Sequence, residues 1–389
     1  MLYGQQTKEG LDYLNSLRTA TGLIVFKQSS TLAKAAKSHA KYLIQNQTYG
    51  HYEKKGKYSY TGKTPSLRVK KAGYPSTVVM ENLSINTTTQ KKAIDNLFAA
   101  IYHRFTFLNL YADTIGIGIH STKKKRAVKQ AYVYNLASSE LMKLCLQPFT
   151  MKNGQYYMQD VCKKSDKMIP QSIFNAKKKK IKRKNKKIVI YPYDGQKGVP
   201  PAFYNESPDP LPKYKVSGFP ISLQFNTAFF KKVKFKSFRL YDAKGNQIIK
   251  TKILRHSNDP HHLLGKFEFA LMPLARLEFS HKYKAVFKAI VDGKSIEKEW
   301  TFETLKPKEK VYRVSKVNET LEVKAGSTIL LYMVPSHRKD LLINYRMKGG
   351  AKAVFIDQNT LRVTFPKRKS SGKVSLRFGN KKRVKFIVK

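Results

Sequence analysis

Four side chains able to hold a metal ion fall within seven residues at His256, Asp259, His261 and His262. Imidazoles and a carboxylate at such spacing suit a divalent ion. In a strand, however, His261 and His262 would face opposite sides. Asn258-Asp259-Pro260 also reads as a turn, so the spacing predicts an exposed polar loop, although a loop could make the groups converge. The only two cysteines, Cys145 and Cys162, flank LQPFTMKNGQYYMQDV. A disulfide between them would close a loop of about 17 residues, add roughly 3 kcal/mol and imply an oxidising compartment. Two reduced thiols are the alternative. No G-x-S-x-G elbow, H-E-x-x-H pair or glycine-rich loop before a helix occurs, so the motifs predict no enzyme.

The elements that would position such groups change character along the chain. Of 389 residues, 41% are hydrophobic and 26% charged, enough apolar material for packed cores. Helix is expected over Gln6 to Leu17. A second should follow Ser29 and Ser30, with Leu32, Ala36, Ala40 and Leu43 on one face. A third is expected from about Lys91, with Ile94, Leu97, Phe98 and Ile101 apolar. Short β runs follow at TIGIGIH (114–120) and QAYVYNLA (130–137). From residue 188 the period becomes two, in about seven short runs up to EKEWTFETL and about seven more from residue 311. Asp292-Gly293 between alternating runs signals a tight hairpin. The expected class is α+β, an α-β-α sandwich followed by two all-β sandwiches. The divisions are 1–145, a disulfide-containing and lysine-rich linker over 146–187, then 188–306 and 307–389.

Lysine and arginine total 76 against 25 aspartate and glutamate, a net charge of +51. The excess is +15 over residues 1–150, +11 over 151–187 and +25 beyond. Such a field attracts polyanions: lipopolysaccharide, acidic lipid, anionic glycan and, without sequence preference, nucleic acid. Lysine outweighs arginine and no finger or RNA-recognition signature is present, so base reading is not expected. A simply well-solvated surface is the plain alternative. KKKKIKRKNKK at 177–187 holds nine basic residues in eleven and predicts an extended, exposed tether. No run approaches the ~18 apolar residues of a membrane-spanning helix.

LNSLRTATGL, TLAKAAKSHAKYL, YGHYE, RVKKAGY, MENLS, IYHRFTFLNLYADTIGIGI and AYVYNLA occur in an order that resembles the CAP superfamily. These are the cysteine-rich secretory, antigen 5 and pathogenesis-related proteins, here in their bacterial secreted form. The resemblance spans about residues 8–138. It implies an α-β-α sandwich with a central cleft holding two histidines and two acidic residues, which in some members takes up zinc or another divalent ion. Carried over by motif, these are His51, Glu81 and His103. The second acid falls at Ala100, which can neither ligate nor act as a base, and Met80 replaces the usual glycine before Glu81. Two imidazoles and one carboxylate would make an incomplete zinc site with a position open to water. The competing reading is a metal-free cleft with hydrogen bonds among His51, His103, Glu81 and tyrosines. Arg104 and Asn15 are expected to stabilise the fold.

YPYDGQKGVPPAFYNESPDPLP, SGFPISLQF and EWTFET resemble the immunoglobulin-like extension behind some bacterial CAP domains. Tyr191, Tyr193, Phe203 and Tyr204 are expected to pack that module rather than form a ligand platform, and Trp300 to lie in its core. The chain therefore reads as a periplasmic or secreted envelope protein, seen without its signal peptide, that binds or adheres. The alternative is a metal-dependent hydrolase of peptide or cell-wall material.

Overall fold

The computed structural model describes residues 2–367, 374–379 and 382–389. Helix α1 (Leu2–Ala20) leads into β1 (Lys27–Gln28) and α2 (Ser30–Asn46), which Ser29 caps by accepting from Leu32 N–H. Then come α3 (Pro65–Ala72), β2 (Val79–Ile85), α4 (Gln90–Ala99) and α5 (Ile101–Phe107). Strands β3 (Thr114–Ser121) and β4 (Gln130–Ala137) complete a sheet of order β1-β3-β4-β2. Apolar residues on its two faces pack α2 on one side and α1, α4 and α5 on the other. Gly116 and Gly118 explain the TIGIGIH run. A Cβ on Gly116 would lie 2.1 Å from Ala33 N, and one on Gly118 2.1 Å from the Ala36 carbonyl carbon. The missing side chains let α2 rest its backbone on β3.

Helix α6 (Ser139–Leu146) carries Cys145, which is bonded to Cys162 at a separation of 17 residues. Reducing that bond is expected to lower stability by about 3 kcal/mol in the chain-entropy limit. Urea unfolding with and without reductant measures it, and an unchanged midpoint would contradict the expectation.

Residues 177–187 overturn the tether expectation. They lie in and just beyond α7 (Gln171–Lys182), whose Phe174 and Ile181 are buried two turns apart. Asn185 then locks the chain end in place, accepting from Ile24 N–H (2.8 Å) and donating to Leu110 O (2.7 Å). Asn226 donates to Lys182 O at 2.7 Å from the following sandwich. Charge repulsion is offset where Glu140 meets Lys177 at 3.2 Å and Lys180 at 3.0 Å. Lys178 lays its ammonium 4.2 Å from the Tyr111 ring centre. Two apolar residues on one face and the high helix propensity of lysine outweigh the repulsion.

The first β sandwich packs the sheet of Thr251–Arg255, Glu268–Pro273, Ile221–Phe225 and Ile188–Tyr191 against that of Val233–Asp242, Lys282–Val291, Lys294–Thr304 and Gln196–Val199. Asp292 (φ 49°) and Gly293 (φ 88°) form the expected tight turn. Trp300, Tyr191 and Phe203 are buried. One apolar core runs unbroken from Leu14, Phe98 and Phe107 into Tyr191, Leu223 and Phe302 of this sandwich. The second sandwich has two four-stranded sheets and a core of its own. It docks through Asp357, which meets Arg276 at 2.9 Å and the Tyr204 hydroxyl at 2.6 Å.

The loop of His256, Asp259, His261 and His262 is exposed as expected at its three histidines, and only Asp259 turns inward. Asp259 is buried and accepts from the N–H groups of Leu263 (2.6 Å) and Leu264 (2.8 Å) and from the Tyr102 hydroxyl of α5. His256 Nδ1 donates to Leu264 O at 2.9 Å and His261 Nε2 to Asp209 O at 2.8 Å. These bonds dock the loop on the N-terminal unit and leave its imidazoles no convergent ligand set.

Candidate functional site

Strand β2 alternates, sending Glu81 toward α2 and α3 and Asn82 toward α5. Helix α3 starts where Thr64 accepts from Leu67 N–H and Pro65 occupies the first turn. It places Arg68, 1% exposed, directly over Glu81. Arg68 Nη2 donates to both carboxylate oxygens at 2.8 Å, and Nη1 donates to His51 O at 2.9 Å. His51 Nδ1 lies 3.0 Å from Glu81 Oε1, and its side chain is 36% exposed. With its amide nitrogen facing the carboxylate, Asn135 donates to Glu81 Oε2 at 3.0 Å.

A second buried layer supports this one. His39 of α2 sets Nδ1 2.9 Å from Glu53 Oε1 and donates from Nε2 to Gly50 O at 3.0 Å. Glu53 also accepts from Thr61 N–H at 2.6 Å. Burial raises both carboxyl groups, but other effects outweigh it. The His51 hydrogen bond and the Arg68 charge hold Glu81 below the usual carboxylate range. Hydrogen bonds from His39 and Thr61, with the Arg68 charge, do the same for Glu53.

His103 belongs to a different pair. Its Nδ1 lies 2.9 Å from Oε2 of Glu206, a residue of the first sandwich. Glu206 Oε1 accepts from Ile101 N–H at 2.6 Å. It thereby caps α5, whose own N-cap, Ala100, has no side-chain acceptor. Burial raises the Glu206 carboxyl and outweighs the lowering by His103. On the N-terminal side, Asn82 Nδ2 donates to His103 O at 2.9 Å. His51 and Glu81 are thus brought together, whereas His103 joins them only through the backbone beside Asn82. Ala100 lacks the family's acid, as expected, and a carboxylate from the next module, Glu206, lies beside it.

The residues present do not fit the divalent ion that the family resemblance implies. Both Glu81 oxygens already accept from the Arg68 guanidinium, whose positive charge neutralises the carboxylate. His51 and His103 spend Nδ1 on two different carboxylates, Glu81 and Glu206, so the two imidazoles belong to separate pairs. Among the described residues, no three His, Cys, Asp or Glu side chains are grouped to hold a metal. Arg104 and Asn15 serve the fold as expected. Arg104 is fully buried, donates to Phe98 O at 2.6 Å and to Ser222 Oγ at 3.1 Å, and is pushed down by burial to about 9. Asn15 bonds both ways with the Phe26 backbone.

Arg68, His39, Glu53 and Glu206 were not singled out by the sequence. One more arginine is uninformative in a chain with 76 basic residues. The usable signal was the scarcity of acids, since Glu53, Glu81 and Asp259 are all buried, and buried acids need partners.

An α-β-α sandwich with a histidine–glutamate cleft defines a class, and residues 11–135 match the CAP family, the cysteine-rich secretory protein family. The N-terminal unit of this chain is a CAP domain. No curated protein matches the chain. Among solved structures, an outer surface protein of Borrelia burgdorferi is 21% identical over 34% of this chain and 92% of its own, with a TM-score of 0.30. An extracellular protein with an SCP domain from Bacillus anthracis is 19% identical over 34% of this chain and 40% of its own, TM-score 0.29. Titin immunoglobulin tandem domains are 14% identical over 44% of this chain and 88% of theirs, TM-score 0.18. No helix among the described residues is long and apolar enough to cross a membrane.

Proposed function

We propose that this chain is an exported CAP-domain binding protein of bacterial type that holds polyanionic envelope material, its ligand being phosphate- or carboxylate-bearing lipid or polymer. The docked basic helix carries this reading. Lys179, Arg183 and Lys184 are exposed on and beside α7, while Phe174, Ile181 and Asn185 pin it from below. A flexible tether would lose conformational freedom on binding; a ridge already in place loses little. The disulfide supports an oxidising, extracytoplasmic setting. Within the cleft, Nε2 of the half-exposed His51 is the group offered to a smaller ligand.

Vesicles containing phosphatidylglycerol provide the test. Near an anionic surface each lysine contributes about 1 kcal/mol. The Lys179→Gln/Lys184→Gln protein should therefore bind about 30-fold more weakly at low salt. Wild-type binding should also fall steeply as salt rises. Binding insensitive to both changes would remove the electrostatic basis of the proposal.

A further inference from the structure

A cavity of about 780 Å³ opens where the CAP domain and the two sandwiches meet. Its volume lies in the range of small-ligand sites, roughly 300–1,000 Å³. Helix α4 lines one side, residues 200–205 of the first sandwich another, and residues 341–343 and 355–358 of the second sandwich the third. The walls are apolar, with Pro200, Pro201, Phe279, Leu342 and Phe355 among them. Ile343, 87% exposed, and Leu305, 37% exposed, stand at the rim. Exposed aliphatic side chains gathered around one opening mark a binding site better than scattered ones do.

The charge of the cavity sets it apart from the rest of this +51 protein. Its two carboxylates are already engaged. Asp95 takes Lys91 at 2.9 Å and the Tyr13 hydroxyl, and Asp357 takes Arg276 at 2.9 Å and Tyr204 at 2.6 Å. The remaining charge is Lys92, exposed at the edge. The polar groups left facing the space are the carboxamides of Asn96, Asn205 and Gln358. All three residues are exposed. A carboxamide donates and accepts at once, as a peptide unit does.

The backbone points the same way. Residues 355–358 line the cavity consecutively, as a strand does along its edge rather than on one face. Lys352–Asp357 is the outer strand of its sheet. An outer strand offers backbone groups to an added strand, here between Ala353 O, which takes the Tyr345 hydroxyl, and Gln358 O, which takes Leu342 N–H. Neutral sugar is a poorer match, because the aromatic rings of the wall, Phe203, Phe279 and Phe355, are buried or half-buried and present no open stacking face. We propose that this junction is a docking site for a short, uncharged, extended peptide bearing apolar side chains, its backbone bonded by the carboxamides and the strand edge.

The test uses the full chain and a library of end-capped random hexapeptides, with maltohexaose as a separate probe. The wild type should enrich uncharged, apolar peptides. An enriched peptide should bind at least tenfold more weakly to Ile343→Asp/Leu305→Asp, whose changes lie at the surface and should leave the melting temperature unchanged. Its affinity should shift less than twofold between 0.1 and 0.5 M salt, and Lys179→Gln/Lys184→Gln should leave it intact. Those last two readings separate this site from the polyanion ridge. Enrichment of acidic peptides, enrichment that survives the rim variant, the absence of any enriched peptide, or binding of maltohexaose alone would each overturn the proposal.

Discussion

Arg68→Met should destabilise the protein by about 4–5 kcal/mol at neutral pH. The substitution removes the cation that bonds both oxygens of Glu81 at 2.8 Å and lies 3.8 Å from Glu53. Breaking a buried pair by deleting one partner leaves an uncompensated charge in a poor solvent. The loss should depend on pH in a definite sense. In the wild type both carboxyl groups sit below their ordinary range. Their ionised forms therefore contribute stability above the unfolded-state value, about 4.3 for glutamate. That contribution disappears as pH falls through the folded-state values. In Arg68→Met burial acts on Glu81 with less opposition, so protonation occurs more readily. The gap between wild type and variant should then narrow from pH 7 to pH 4. Urea unfolding at both pH values measures it, and a gap independent of pH would mean that Arg68 acts by packing rather than charge. Arg68→Lys should fall between the two, because an ammonium cannot reproduce the guanidinium fork.

Glu206→Ala should cost about 3–4 kcal/mol, since it leaves His103 and the Ile101 N–H without their acceptor in the buried seam between CAP domain and sandwich. Glu206→Gln keeps an acceptor and should cost about 1 kcal/mol. The sign of the pH effect is opposite to that of Glu81. Burial holds the Glu206 carboxyl above its ordinary value, so the folded state binds this proton more tightly than the unfolded chain does. Ionised Glu206 therefore costs stability, and that cost grows as pH rises from the unfolded value through the folded one. The glutamine variant should lose this part of the slope. Urea unfolding of the wild type and both variants between pH 4 and pH 8 measures this slope. A Glu206→Gln protein that keeps the wild-type slope would show that the Glu206 carboxyl does not carry it.

Much of the scaffold was legible before any coordinates. The Ser29 cap, the α2 face of Leu32, Ala36, Ala40 and Leu43, and the Asp292-Gly293 hairpin follow from local chemistry that neighbouring residues share. The same holds for the burial of Trp300 in an alternating strand. The failures have a common physical cause. At 177–187, composition argued for repulsion and extension. Phe174 and Ile181, seven residues apart, decided the matter by finding a surface to cover. At 256–262 the turn is solvated as read, and the one residue that departs is Asp259, which turns inward to bond Tyr102 across 157 residues.

The site divides in the same way. Sequence by itself determined the CAP domain and the disulfide partners, and its motifs named His51, Glu81 and His103 as one cleft without separating the pairs, because these readings rest on ordered motifs or on there being only two cysteines. It also determined that Ala100 carries no acid. Only the tertiary structure decided which carboxylate meets His103, bringing Glu206 from 103 residues away, and which cation neutralises Glu81, where Arg68 donates to both of its oxygens. Periodicity and capping act over a few residues and are written locally. The partner of a buried charge is chosen by whichever elements pack around it, and that choice exists only once the chain has folded.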